Sequence, residues 1–315
     1  MLIAGIDEAG YGPKLGPMVV ATVPIGVDAG APLAVDAGDV NKAAEAARKA
    51  LTSLPVKVID SKKLFSPKKG LHKLELSALS LLGASGQQPQ TVGALVEAVA
   101  PTYSQDIQLL PWYREVWQSP LPLASSADEV GESAEAVKSA LAESGVSILP
   151  PQVVALDEKS LNRLWRREPN KERASFAAFR DLTKRLVDSK SGALHLTMDQ
   201  QGGRTNYLPW LCDCWPGEMP SHHRDGDCGC YHLDGPNLHL FVAPRADSNY
   251  PEVAAASIIA KYLREALMTG FYKFWREQSV EPADGYGGSH RDFMVRAEPK
   301  MRELGLTYDD ILRLR

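Results

Sequence analysis

The sequence has few cysteines, no long apolar run, no large excess of charge of either sign and no internal repeat. All four cysteines fall between Cys212 and Cys230, so no chain-wide disulfide framework can be drawn. The longest apolar candidate, Leu76 to Ala84, is far short of the ~20 residues that a membrane span needs. The net charge of -4 does not advertise a polyanion binder, although a local basic patch is compatible with it. The opening "MLIAGIDEAG" lacks a basic start and meets acid at Asp7, unlike a secretory leader. These absences predict a cytoplasmic protein without a membrane partner.

What is present suits a folded enzyme-sized chain. A hydrophobic content of 44% over 315 residues can form a sizeable core, and 23% charged residues is ordinary for a globular protein. Leu2 to Ile6 and Met18 to Ile25 read as strands separated by a Gly/Pro turn region. Asn41 to Leu54 reads as an Ala-rich helix capped by Asn41. Asp60 to Gly70 reads as a basic loop, and a helix is expected from Ser66-Pro67 to Leu82. The stretch 84–126, with its prolines, glutamines and serines, reads as an insertion or surface excursion. Further on, Ala127 to Glu143 reads as helix and Val146 to Ala155 as one strand. A helix interrupted at Pro169 follows, then strands at Ala193 to Met198 and Leu238 to Ala243. In "SNYPEVAAASIIAKYLREALM", Ala255, Ile258, Ile259, Tyr262, Leu263 and Ala266 form one apolar helical face, with Ser257, Lys261 and Arg264 opposite. Strands first, then strands alternating with helices, predict a single α/β domain with a mixed sheet.

Three acidic positions share a setting. Asp7-Glu8, Asp199 and Asp247 each stand at or just past the end of an apolar strand-like run. Taken singly, each of them reads more readily as a cap or turn residue. Together they suggest a site, because strand ends are where open α/β sheets build theirs. Converging carboxylates repel, and hard divalent cations with oxygen ligands relieve that repulsion. Two such ions support in-line phosphoryl transfer. Adjacent strand residues point to opposite faces, so Asp7 and Glu8 share a site only if the strand ends between them.

The segments "AGIDEAGYGP", "DSKKL", "LTMDQQGG", "RADSNYPEVAAASIIAK" and "GYGGSH" occur in the order in which type 2 ribonucleases H carry their signatures. The chain resembles that family over roughly residues 1–82 and 145–295. The resemblance implies a ribonuclease H-like fold, a mixed five-stranded sheet flanked by helices, with 84–126 as a family-atypical insertion. It implies hydrolysis of the RNA strand of RNA–DNA hybrids, or cutting at ribonucleotides in duplex DNA, by a monomer using two Mg²⁺ or Mn²⁺ ions. By motif, Asp7, Glu8, Asp199 and Asp247 resemble the catalytic metal ligands. Gly10, Tyr11, Gly12, Lys62, Lys63, Ser257, Lys261 and Tyr286 fall at substrate-side positions. Gly10-Tyr11-Gly12 stands where the family usually has Gly-Arg-Gly, and a tyrosine stacks but does not pair bidentately with phosphate.

Two alternatives stay open at this level: a nuclease of the same fold acting on another nucleic-acid structure, and a non-catalytic nucleic-acid-binding module. Lys62, Lys63, Lys68 and Lys69 read either as a phosphate-contacting patch or as a solvated face. His290 reads either as an aid to proton transfer or as a structural histidine. Cys212, Cys214, Cys228 and Cys230, spaced Cys-x-Cys and Cys-x-Cys, read either as a structural zinc site or as reduced thiols in a hairpin.

Overall fold

The computed structural model describes residues 1–28, 37–103, 107–168, 171–201 and 203–314. Pro169 and Gly202 therefore lie outside the described residues, as do residues 104–106 of the 84–126 stretch. The strands are β1 (Leu2–Ala9), β2 (Met18–Val27), β3 (Val146–Ile148), β4 (Gln152–Leu156), β5 (Leu194–Asp199), β6 (Ser221–Asp225), β7 (Cys228–Leu233) and β8 (Leu238–Ala243). The helices are α1 (Ala37–Thr52), α2 (Ser61–Leu64), α3 (His72–Ala84), α4 (Val92–Val99), α5 (Pro111–Val116), α6 (Ala127–Glu143), α7 (Glu158–Arg167), α8 (Lys171–Ser189), α9 (Leu208–Cys214), α10 (Ala246–Asn249), α11 (Pro251–Glu277), α12 (Ser289–Glu303) and α13 (Tyr308–Ile311). No helix among the described residues is long and apolar enough to cross a membrane.

The sheet is mixed, as expected, but it has eight strands and not five. Its order is β3-β2-β1-β5-β8-β7-β6, with β4 also paired to β2. Two features account for the difference. The expected strand Val146 to Ala155 is split into β3 and β4, which pair with opposite ends of β2. Pro150 and Pro151 stand between them, and proline cannot donate to a ladder. The Cys/His-rich segment folds as the hairpin β6–β7, which adds antiparallel to β8. The centre follows the expected pattern: β1 is antiparallel to β2 and parallel to β5, and β5 is parallel to β8. The carboxyl ends of β1, β5 and β8 therefore lie on one edge.

Apolar clusters cover both faces. One joins alternate residues of β1 and β2 (Ile3, Val19, Ala21, Val23) to α3, α4, α5 and α11. The other joins Leu2, Ala4, Ile6 and Met18 to α7, α8, α9 and strands β5, β7 and β8. This alternation is the period-two reading of a strand buried on both sides. Helix α11 lies directly on β1. A Cβ built on Gly5 would stand 2.1 Å from the Glu252 carbonyl oxygen, so only glycine permits this approach. Gly5→Ala is expected to destabilise the fold by about 3 kcal/mol or more, because backbone on both sides must yield. A denaturant titration checks this, and an unchanged midpoint would contradict the packing.

Several local expectations need correction. Helix α1 begins at Ala37, so Asn41 is inside it and does not cap it. Asp60, not Ser66, starts a helix: its side chain accepts from the Lys62 amide and caps α2. The segment from Ser66 to Gly70 turns back on itself, with Gly70 at φ +72°, and α3 begins only at His72. Helix α11 is not polar on its outer face, since Ser257 and Arg264 are both buried. The stretch 84–126 is no surface excursion. Trp112 and Tyr113 of α5 are fully buried, and Trp112 packs edge-on to Phe271 and Phe274 of α11 at 5.6 and 5.7 Å. The buried Glu75 carboxylate closes the segment by accepting the amides of Leu123, Ala124 and Ser125 and the Tyr262 hydroxyl.

Candidate active site

The four acids gather at the carboxyl edge of the sheet. Strands β1 and β5 pair as far as Ile6 with Met198, and Asp7 and Asp199 are the next residues of each. Strand β1 stays paired with β2 through Ala9, so it does not end between Asp7 and Glu8. The condition for both to face one site is not met at that strand end. Instead Asp7 is buried toward Ser257 and Asp247, while Glu8 turns toward Asp199 and Gln201. Asp247 lies on α10, the short turn between β8 and α11, and it too is buried. The acids thus form a chain of neighbours along the parting of β1 and β5.

Their electrostatics follow from that crowding. Burial, then the charge of Glu8, raises the Asp7 carboxyl well above the usual carboxylate range. Burial pushes Glu8 up to about 7; a hydrogen bond from Gln201 opposes the shift and Asp199 adds to it. Asp199 is raised by burial, with Asp247 adding to it, against the amides of Ala246 and Gln200 that favour its charge. These amides reach its Oδ1 at 3.0 and 2.9 Å. The cluster is short of positive charge.

Lys62 supplies some. Its Nζ stands 3.2 Å from Asp247 Oδ2. Burial works against the Lys62 ammonium, but Asp247, Asp60 and Asp7 outweigh it and raise the pKa. The lysine side chain is 79% exposed and that of Asp247 10%, so the pair is screened on one side and can open to another anion. Gln201 Nε2 donates to Glu8 Oε2 at 3.0 Å. Gln201 was not among the residues singled out by sequence. Its place two residues after Asp199 was the available signal.

The remaining predicted positions divide. Ser257 meets Ser61 of α2 at 2.9 Å, which seats the lysine-bearing segment against α11 beside Asp7. Gly12 and Tyr286 converge: Gly285 accepts the Lys14 amide at 3.0 Å, and a Cβ on Gly12 would stand 3.8 Å from the Tyr286 ring, whereas one on Gly10 would meet Arg264 and the Pro17 carbonyl at 2.6 Å. Tyr11 packs against the cluster that holds Met18 and Trp210. Lys63 is exposed, and its carbonyl accepts from Lys69. Lys261 gives its ammonium to Glu265 at 2.7 Å and lies over the Phe65 ring. That side chain is satisfied within its own helix. A cavity of about 820 Å³, lined by residues such as Met1, Pro150, Gln152 and Lys190, opens at the opposite edge of the sheet. It holds none of the candidate residues.

Among the described residues, no three His, Cys, Asp or Glu side chains stand closely enough around one point to hold a metal ion. For the cysteines this favours reduced thiols over the zinc site. Cys212 and Cys214 sit two apart on a helix, where side chains diverge by about 200°. Cys212 is accordingly exposed and Cys214 buried in the core, its thiol pushed up to about 12 by burial. Cys228 instead packs beside Phe241 and Tyr250, in a different cluster. For the acids the chemistry points the other way. They stand close enough for charge to add to burial in raising the pKa of Asp7, Glu8 and Asp199, yet do not close into a cage, and Lys62, Gln201 and backbone amides take some of their oxygens. Hard carboxylate oxygens crowded together, with burial raising the pKa of Asp7, Glu8 and Asp199, are the donor set that a hard divalent cation fits.

No family model matches the chain, and no curated protein matches it. Solved structures do resemble it distantly. The structure of the PCNA:RNase HII complex from Archaeoglobus fulgidus matches at 17% identity and a TM-score of 0.45, covering 100% of this chain and 95% of that one. Bst-RNase HIII in complex with Mn²⁺ matches at 18% and 0.46, covering 100% and 66%. Ribonuclease H2 from Pyrococcus horikoshii OT3 matches at 14% and 0.43, covering 99% and 92%. Likenesses this distant add no weight of their own, and the functional reading rests on the site.

Proposed function

We propose that this chain is a ribonuclease H of type 2, an endonuclease that hydrolyses the RNA strand of RNA–DNA hybrids with divalent cations. One observation carries the reading: four carboxylates crowd the carboxyl edge of three neighbouring strands, with burial and mutual repulsion raising the pKa of Asp7, Glu8 and Asp199. A pure binder of polyanions gains nothing from such a cluster. Asp7, Glu8, Asp199 and Asp247 would hold Mg²⁺ or Mn²⁺. Bound there, such ions supply Lewis-acid activation of water and charge stabilisation at the leaving oxygen.

The chain's own residues do the rest. Lys62 is exposed enough to leave Asp247 for a substrate phosphate. The Gly10–Gly12 backbone, free of side chains at both glycines, offers amides for close approach to the sugar–phosphate chain. Tyr11 and Tyr286 flank that turn and suit stacking on a sugar or base. The Ser61–Ser257 contact keeps the lysine segment in register with Asp7.

A panel of labelled RNA–DNA hybrid, duplex DNA with one ribonucleotide, duplex RNA and duplex DNA tests the substrate class. Cleavage of the hybrid in Mg²⁺ or Mn²⁺, abolished by EDTA, is expected. Faster cleavage of duplex RNA or duplex DNA would move the activity to another nucleic-acid structure. Binding that persists in EDTA, with no cleavage in either metal, would replace the nuclease with a binding module.

A further inference from the structure

A second buried constellation lies behind the Gly10–Gly16 turn, and no part of it belongs to the acid cluster. Arg313, just past α13, is 1% exposed. Its guanidinium spends its donors on backbone carbonyls of that turn. Nε donates to Gly16 O at 2.7 Å, Nη1 to Pro13 O at 3.0 Å, and further bonds run from Nη1 to Gly10 O and from Nη2 to Gly16 O. The Arg313 amide donates to Lys14 O at 3.0 Å. Beside it Arg264, also buried, donates Nη2 to Leu15 O at 3.2 Å. Every residue from Lys14 to Gly16, together with Gly10 and Pro13, is therefore held through its carbonyl.

Buried charge needs a reason. Burial, then the neighbouring Arg264, lowers the Arg313 pKa to about 10, while Glu158 opposes the shift. Glu158, fully buried at the start of α7, accepts the Gly16 amide at 3.0 Å and the Tyr113 hydroxyl. Asn162, one turn further along α7, takes the Leu314 amide at 2.8 Å and donates to Leu312 O at 2.9 Å. The segment 312–314 is thus docked on α7 so that Arg313 enters the turn from behind. The cost of burying two guanidiniums is offset by the turn carbonyls, by Glu158 near Arg313 and by the Glu265 carboxylate, which Arg264 Nη1 meets at 3.0 Å. Gly10 and Gly16 are at φ +85° and +80°, a conformation that glycine adopts without strain.

We propose that Arg313 is a positioning residue: it fixes the shape of the Gly10–Gly16 turn, and through it the placement of Tyr11 and of Tyr286, so that substrate meets a preformed surface. The functional half of this inference rests on the nuclease reading; the structural half does not. A lysine keeps the charge but lacks the planar fork that spans three carbonyls. The test is Arg313→Lys in the full chain, with Asn162→Ala as a second variant that loosens the segment and leaves the guanidinium in place.

Hydrogen exchange comes first. Amides of residues 10–16 are expected to exchange about tenfold or more faster in Arg313→Lys, with β1 and β5 protected as before, and in the same direction but less in Asn162→Ala. Unchanged exchange at residues 10–16 in both folded variants overturns the inference whether or not the protein is a nuclease. In hybrid cleavage, KM is expected to rise about tenfold with kcat within about twofold, the pattern of lost binding geometry. Added guanidinium is expected to restore part of the loss in Arg313→Ala. Equal falls in kcat for both variants with KM unmoved would contradict a positioning role. A wild-type protein that cleaves nothing would sink the nuclease reading, and exchange would still judge the turn.

Discussion

Asp7→Asn is expected to remove cleavage almost entirely, by about 10³-fold or more, and at the same time to make the cation-free protein more stable. The first effect follows from taking one oxygen donor and its charge from the cluster. The second follows from linkage. The folded Asp7 pKa is raised, by burial and then Glu8, so the native state holds a proton that the unfolded state releases. Stability from that proton is fully present below the unfolded value of 3.8 and is lost as pH rises through the raised folded value. Asparagine never ionises. The melting-temperature advantage of Asp7→Asn without divalent cations should therefore be near zero at pH 4 and grow to a few degrees at pH 8. Adding Mn²⁺ should raise the wild-type melting temperature more than that of the variant. A variant that is less stable at pH 8 without cations, or fully active with them, would contradict this picture of the cluster.

Trp112→Ala is expected to cost about 3–5 kcal/mol, among the largest effects available to a single substitution away from the acids. The indole is fully buried at the meeting of α5 and α11. It contacts Phe271, Phe274 and Trp275, with ring centroids between 5.6 and 6.1 Å. The Trp112 backbone is equally close, since a Cβ on Gly270 would stand 2.4 Å from its carbonyl oxygen. Helix α11 runs from the site, near Asp247 and Ser257, into this contact. Loss of the indole should loosen α11 as a whole and lower the urea midpoint without a matched change in KM. A cost below about 1 kcal/mol would mean that 84–126 is peripheral after all.

Much of the site was legible because its signals are local. An apolar run closed by an acid is a local signal, and the structure places Asp7 and Asp199 just past the β1–β5 pairing and Asp247 on the short turn after β8. The helix boundaries at Ala127 and Glu143 follow from Ser126 as cap and the serine and glycine that end it. The rest depends on partners distant in sequence. Nothing near Pro13 announces Arg313, 300 residues away, and nothing near Gly16 announces Glu158. Lys261 reads as substrate-facing by spacing from Ser257, yet Glu265 one turn on captures it. The 84–126 stretch looks like loop because proline and glutamine dominate its appearance, whereas its burial is set by a few large side chains, Trp112 and Tyr113 first. Cys-x-Cys spacing leaves zinc and free thiols both open, and the structure separates the thiols because Cys212 is exposed, Cys214 is buried in one apolar cluster and Cys228 packs on another. Alternation along β1 explains why adjacent Asp7 and Glu8 face different neighbours.

The most direct measurement is a time course of cleavage of an end-labelled RNA–DNA hybrid in Mn²⁺ by the wild-type chain, beside Asp199→Asn and Asp247→Asn. Cuts in the RNA strand by the wild type, slowed by about 10²-fold or more in each variant, are the result expected of a carboxylate cluster that holds the catalytic cations. An intact hybrid with folded, cation-loaded wild type, or undiminished cleavage in either variant, would contradict it.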